Sequence, residues 1–405
     1  MLDMKHELPR VPSRMIETTS ALEAFCDHVR EVGRFAFDTE FIGESSYQPL
    51  LCLVQVATID RVELLDPFAI ENLAPLWEII ADPAVETICH AGDQDFAIAW
   101  QKSKRKPANI FDAQIGAGMT GLGYPLAYWR LVELFCGVEL DKAHTYSAWN
   151  QRPLSREQFK YAIDDVRYLM IIRDSLHASL QANGHVEWMR EACDDLATQA
   201  AVDLDPRRVF LKIKGANTLD GLQLSVLREV TALREQMAYE HDVPARTMLK
   251  DDALMDIASR MPKREADLVA IRSIPRNELV SYGGQILQAV ERGRAVPPDQ
   301  RPSLPPPPDD SLEIKRLADQ LSAAAHVISM GQSVTPALVM SQAQTLSFAR
   351  RLIAKRPLDD HPFMLGWSRA CLGQPLLDFF HGKLQLNVGM EGGVAGNIRV
   401  AFNGG

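Results

Sequence analysis

With 405 residues the chain is long enough for two or three domains and a sizeable core. Hydrophobic residues make up 46% and charged residues 24%, an ordinary globular composition, and no apolar run approaches the roughly 18 to 20 residues that span a bilayer. The net charge of −10 argues at first against nucleic acid, but residues 1–206 hold 18 basic and 32 acidic side chains, whereas 207–294 hold 15 and 12 and 295–405 hold 10 and 9.

The opening stretch MLDMKHELPR has no apolar signal core, so no export signal is expected and a cytoplasmic address follows by default. The cysteines (26, 52, 89, 136, 193 and 371) form no C-x-x-C pair. They read as reduced, buried thiols, with no zinc site. Leu22, Phe25 and Val29 recur at helical spacing and predict a helix within residues 15–33. RFAFDTEF (34–41), LLCLVQVAT (50–58) and VELLD (62–66) read as strands. LAPLWEIIAD is a helix, VETICH (85–90) a strand, and AGDQDFAIAWQ opens a helix after Gly92. IFDAQIGAGM is a short strand passing into a helix, and PLAYWRLVELFCGV is helical to about Gly137. Residues 155–184 form the clearest helix, with a Ser155/Gln158 capping box, an apolar stripe of Phe159, Ile163, Val166 and Met170, and an Asn183-Gly184 stop.

Strands followed by strand–helix alternation indicate a mixed α/β domain over about residues 15–190. From 205 to 294 the pattern is helices with short joints. AVPPDQRPSLPPPPDD (295–310) reads as a semi-rigid linker, residues 311–382 are helical again, and the Gly-rich end is expected to be poorly ordered.

Asp38 and Glu40 stand two apart at the end of a strand, so their side chains share a face and repel. Asp95 follows a Gly at a helix start, and Tyr161 and Asp165 lie one helical turn apart. Singly, each feature fits a strand exit, a helix-start acid or a solvated helix face. Together, Asp38, Glu40, Asp95 and Asp165 would gather hard oxygen ligands suited to Mg²⁺ or Mn²⁺. Two such ions about 4 Å apart can activate a water and stabilise the leaving oxygen in phosphoryl displacement. Tyr161 can hold that water.

FDTEF (37–41), HAGDQD (90–95) and YAIDDV (161–166) resemble, in order, the three motifs of the ribonuclease D family, within the tyrosine-type DEDD exonucleases. DPF (66–68), FDAQI (111–115) and ELDK (139–142) add to the likeness, which covers about residues 15–190. The resemblance implies an RNase H-like α/β domain, a mixed five-stranded sheet with three antiparallel strands first and flanking helices. It implies Asp38, Glu40, Asp95 and Asp165 as metal ligands, Tyr161 on the attacking water, and Thr39, Phe41 and His90 near the 3′-terminal nucleotide. Residues 215–294 resemble an HRDC domain, a small helical bundle that holds nucleic acid, and 311–382 resemble a second, divergent copy. The division expected is therefore an exonuclease domain (1–205), an HRDC domain (206–294), a linker (295–310) and a second HRDC-like region with its tail (311–405).

The function implied is 3′→5′ hydrolysis of RNA with a free 3′ hydroxyl, such as tRNA precursors, releasing 5′-mononucleotides with two divalent ions. A monomer is expected, with no membrane and no small-molecule cofactor beyond metals. Arg207, Arg208, Lys212, Lys214, Lys263 and Arg264 could carry the rest of the strand, giving salt-sensitive affinity. The competing readings are the same chemistry on DNA, a non-catalytic RNA-binding scaffold and a metal-binding regulatory domain. Retention of all four acids speaks against the scaffold.

Overall fold

The computed structural model describes residues 8–12, 14–43, 46–140, 148–202, 205–304, 311–390 and 398–404. Most of the MLDMKHELPR stretch, the end of ELDK and the second half of the proline run (305–310) lie outside the described residues.

Helix α1 (Thr19–Val32) starts where the Thr18 hydroxyl accepts the Ala21 N–H and stops at Gly33, whose φ of +77° suits a residue without Cβ. Its buried Leu22, Phe25, Cys26 and Val29 form the stripe read from the sequence. Strands β1 (Arg34–Ile42), β2 (Leu50–Ala57) and β3 (Val62–Leu65) follow, then α2 (Ala74–Ile80), β4 (Glu86–Cys89), α3 (Asp93–Ser103), β5 (Ile110–Asp112) and α4 (Ala113–Met119). The sheet order is β3-β2-β1-β4-β5; β2 and β3 pair antiparallel, whereas β1–β4 and β4–β5 are parallel. Phe35, Ala36 and Phe37 are all buried, as expected where helices cover both faces of a sheet. Parallel pairing of β1 with β4 is registered only over Arg34–Ala36, so Asp38 to Ile42 run on beyond it. Before α1, Arg10 and Ile16 bridge to Arg61 and Leu65 and cover part of the sheet's outer edge.

Next come α5 (Tyr128–Cys136), α6 (Arg156–Arg167), α7 (Leu169–Asn183) and α8 (Val186–Val202). The capping box at Ser155 and Gln158 is formed in both directions. The single long helix expected over 155–184 is instead two. Tyr168 leaves helical geometry (φ −99°, ψ −12°), and its N–H turns to the Val166 carbonyl. The Tyr168 ring is buried beneath the Arg167 guanidinium, and no Gly or Pro stands at the break.

Helices α9 (Gly221–His241), α10 (Ala245–Met248), α11 (Asp251–Arg260), α12 (Glu265–Val269) and α13 (Arg276–Arg294) form a compact unit of residues 201–309, joined by residues 41–51. Its core brings Leu227, Val230 and Met237 of α9 against Leu254, Ile257, Ile286 and Val290. Gly293 lets α13 approach α9 closely, since a Cβ there would stand 2.5 Å from Val226 Cα. Pro298–Gln300 form one 3₁₀ turn and Leu304 packs on the core, so this part of the proline run is folded back rather than free. An apolar side chain at the end of a stiff, donor-poor segment explains the difference.

The second unit joins residues 1–40 and 52–200 with 310–405. It adds α14 (Leu312–Gly331), α15 (Pro336–Val339), α16 (Gln342–Ile353), α17 (Gly366–Ser368) and α18 (Gln374–Phe380). The Thr335 N–H bonds the Gly118 carbonyl of α4 at 2.7 Å, and Trp367 lies 6.4 Å from Trp188 of α8. The chain end, expected without order, pairs β6 (Leu384–Met390) antiparallel with β7 (Ile398–Gly404). The LQLNV and IRVAF segments carry the alternation of a hairpin, which the glycine content hides. No described helix is long and apolar enough to cross a membrane.

Candidate active site

The overhanging part of β1 carries Asp38, Thr39 and Glu40 at the carboxyl ends of the parallel strands, where crevices form in open α/β sheets. Helix α6 supplies Asp165, with Tyr161 one turn earlier on the same face. One carboxylate oxygen from each of Asp38, Glu40 and Asp165 lies within 4.8 Å of the others. Asp95, in the first turn of α3 and 7% exposed, stands outside that trio and accepts the Thr39 hydroxyl. Its charge still raises the proton affinity of both Asp38 and Glu40.

Burial is the first cause of every shift here. Asp38 is pushed well above the ordinary carboxylate range by burial, then by Asp95, Asp165 and Glu40. Glu40 rises to about 8 through burial and the charges of Asp165 and Asp95. Asp165 also rises to about 8 through burial and the adjacent Asp164. Asp95 rises to about 6, burial being partly offset by the Thr39 bond. Among the described residues no Lys or Arg forms an ion pair with any of the four, whereas Asp164 bonds Lys160 at 2.9 Å and lies 3.5 Å from Arg167. An all-carboxylate donor set with no counter-charge among the described residues fits a hard divalent cation, and one oxygen from each of Asp38, Glu40 and Asp165 is close enough to share it.

The start of α3 is fixed by a residue whose role the sequence reading passed over. The Asp112 carboxylate, 1% exposed, accepts the N–H groups of Ala91 (3.2 Å) and Gly92 (3.0 Å) in the turn before α3. It also accepts Gln114 (2.7 Å) and Ile115 (3.3 Å) as the N-cap of α4. One carboxylate thus ties together the two turns at the ends of β4 and β5. Gly92 leaves no room for a side chain, since a Cβ would meet Cys89 Sγ at 2.8 Å and Phe96 Cε2 at 2.9 Å. Only the FDAQI resemblance singled out this stretch, because an N-cap Asp is common and its second set of partners is distant in sequence.

Tyr161 packs at 6.0 Å from the buried Trp149 ring. Trp149 is held in turn by Arg152, which donates to its carbonyl (2.9 Å), to that of Cys52 (2.7 Å) and in a two-pronged pair to Asp66 (2.8 Å each). The Tyr128 hydroxyl donates to the Asp164 carbonyl at 2.9 Å, steadying the helix at Asp165. His90 is half-buried, its Nε2 2.8 Å from the Leu126 carbonyl and its ring 5.5 Å from Tyr128. Burial lowers its pKa, keeping the ring neutral. Phe41 continues β1 just past Glu40.

A family model described as 3′-5′ exonuclease matches residues 13–181, and an HRDC domain model matches 223–290. The chain is 31% identical to a ribonuclease D of Nitrobacter hamburgensis, over 92% of this chain and 97% of that one. It is 32% identical to a ribonuclease D of Gluconacetobacter diazotrophicus, over 92% and 94%. Among solved structures it resembles Escherichia coli RNase D, described as an exoribonuclease involved in structured RNA processing. That likeness has a TM-score of 0.79 and 25% identity, over 92% of this chain and 99% of that one.

Proposed function

Since the chain belongs to the ribonuclease D family, we propose that Asp38, Glu40, Asp95 and Asp165 hold two divalent cations at the scissile phosphate and that Tyr161 orients the attacking water. The chain is a metal-dependent 3′→5′ exoribonuclease. The observation that carries the reading of its site is the convergence of three carboxylates from β1 and α6, with no Lys or Arg ion-paired to them among the described residues. Magnesium or manganese bound there supplies Lewis acidity to the attacking and leaving oxygens of an in-line displacement.

The protein groups do the positioning. Thr39 keeps one Asp95 oxygen occupied and so fixes the direction of the other. Tyr161, braced by Trp149, places its phenol one turn ahead of Asp165 to accept and direct a water. Phe41 and Thr39 line the 3′-terminal nucleotide, the ring offering a face for the base. His90 stands near that nucleotide, and its ring docks the end of β4 on the Leu126 carbonyl just before α5.

The substrate is an RNA with a free 3′ hydroxyl, with structured molecules such as tRNA precursors the natural class, and the enzyme acts as a monomer. The exonuclease domain is followed by the HRDC module and, in residues 311–382, a divergent second one. Digestion of 5′-labelled RNA ending in 3′-hydroxyl or 3′-phosphate, beside matched DNA, tests this. A ladder receding from the hydroxylated RNA end, released 5′-mononucleotides and arrest by EDTA are expected. Equal cleavage of the phosphate-ended strand, or activity in excess chelator, would refute the reading.

A further inference from the structure

Residues 41–51 group with the helical unit, and the bonds that hold them there are specific. The Tyr47 and Gln48 N–H groups both donate to Asp242 Oδ1, at 3.1 and 3.3 Å. Asp242 is the C-cap of α9, at φ +46°, a left-handed conformation that Asp tolerates better than most residues with a Cβ. The Tyr47 hydroxyl donates to Glu235 Oε2 at 3.1 Å, and its ring meets Tyr239 edge-on at 6.0 Å.

Glu235 is itself buried and paired with Arg234 at 2.9 Å, and Arg234 bonds Asp251 of α11 at 2.7 Å. Tyr47 therefore plugs into a buried charge network, where a hydrogen bond is firmer than at a surface. Pro49 follows at once. A methyl on Gly43 would stand 3.8 Å from Pro49 Cβ and Cγ and 3.9 Å from Phe41 Cδ2, so Pro49 and the Phe41 ring flank the same side of Gly43.

We infer that Tyr47, Gln48 and Asp242 form a latch by which the HRDC module positions Phe41, so that Tyr47 and Asp242 are positioning residues for grip on the terminal nucleotide. The inference rests on the reading of Phe41 as a wall of that nucleotide's pocket. Asp38 and Glu40 lie earlier on β1, outside residues 41–51, and the latch does not carry them. Its loss therefore acts on KM and spares kcat.

The test is steady-state hydrolysis of a 3′-hydroxyl oligoribonucleotide by the full chain and its variants, with thermal melting alongside. Phe41→Ala should raise KM severalfold. Tyr47→Phe, which removes only a hydroxyl, and Asp242→Ala should each raise KM by about 3- to 10-fold, with kcat within about twofold. Asp242→Asn keeps the acceptor and should restore KM. Added to Phe41→Ala, either latch variant should have little further effect, as expected of residues acting through one another. If Phe41→Ala raises KM while both latch variants match the parent, or if their effects simply multiply, the latch is wrong and the pocket reading survives. If Phe41→Ala leaves KM unchanged, the pocket reading fails and the latch falls with it.

Discussion

At Glu40 and Asp165, burial outweighs solvation, and the sign of the consequence can be worked out. In the folded chain both groups hold protons up to about pH 8; unfolded, they release them near 4.5 and 3.8. The native state therefore binds more protons across that window, and stability falls as pH rises through it. Without metal, the contribution of these two groups to the urea midpoint should decline from about pH 4 to about pH 8. Added Mg²⁺ or Mn²⁺ should reverse most of the decline. Asp38→Asn removes the cost of burying an ionisable carboxyl in the cluster and should raise the urea midpoint of the metal-free protein at pH 8. The same change should lower hydrolysis by at least about 100-fold, since even residues that only support a metal ligand cost 10- to 100-fold. A variant that cleaves nearly as well as the parent would remove Asp38 from the site.

Elements are where sequence and structure part company. The D-x-E of β1, the first-turn acid of α3 and the capped Y-x-x-x-D helix were readable because each lies in one short segment with a clear period. Convergence of Asp38, Glu40, Asp95 and Asp165 was expected; one oxygen from each of Asp38, Glu40 and Asp165 comes together, and Asp95 stands outside that trio. The interruption at Tyr168 was not readable, since no Gly or Pro marks it. Nor was Asp112, whose carboxylate serves two turns about twenty residues apart. Those turns yield a prediction of their own. Gly92→Ala forces a Cβ to within 2.8 Å of Cys89 Sγ, and such overpacking costs about 1 to 3 kcal/mol. The start of α3 should shift and carry Asp95 with it, so kcat should drop by about tenfold or more while the chain stays folded. Unchanged kcat with a lowered melting point would show that Asp95 does not depend on this turn. In the helical unit, Gly293→Ala should lower the melting point by pushing α13 from α9 at Val226, without touching metal binding.

On the scale of the molecule, residues 310–405 belong with the sheet rather than forming a detached body. Deleting 311–405 uncovers α4 at Gly118 and α8 at Trp188, where Thr335, Leu338 and Trp367 now rest. The truncated chain should melt at lower temperature, and its affinity for structured RNA should fall more than its turnover of a dinucleotide. An unchanged melting curve would separate the C-terminal segment from the sheet after all. The three converging carboxylates come from positions as far apart as 38 and 165, on a central strand and on α6. No short fragment can reproduce that arrangement, so occupancy by a dication counts correctly folded molecules. A paramagnetic ion such as Mn²⁺, titrated against a preparation of uncertain quality, would thus give its native fraction with no RNA present.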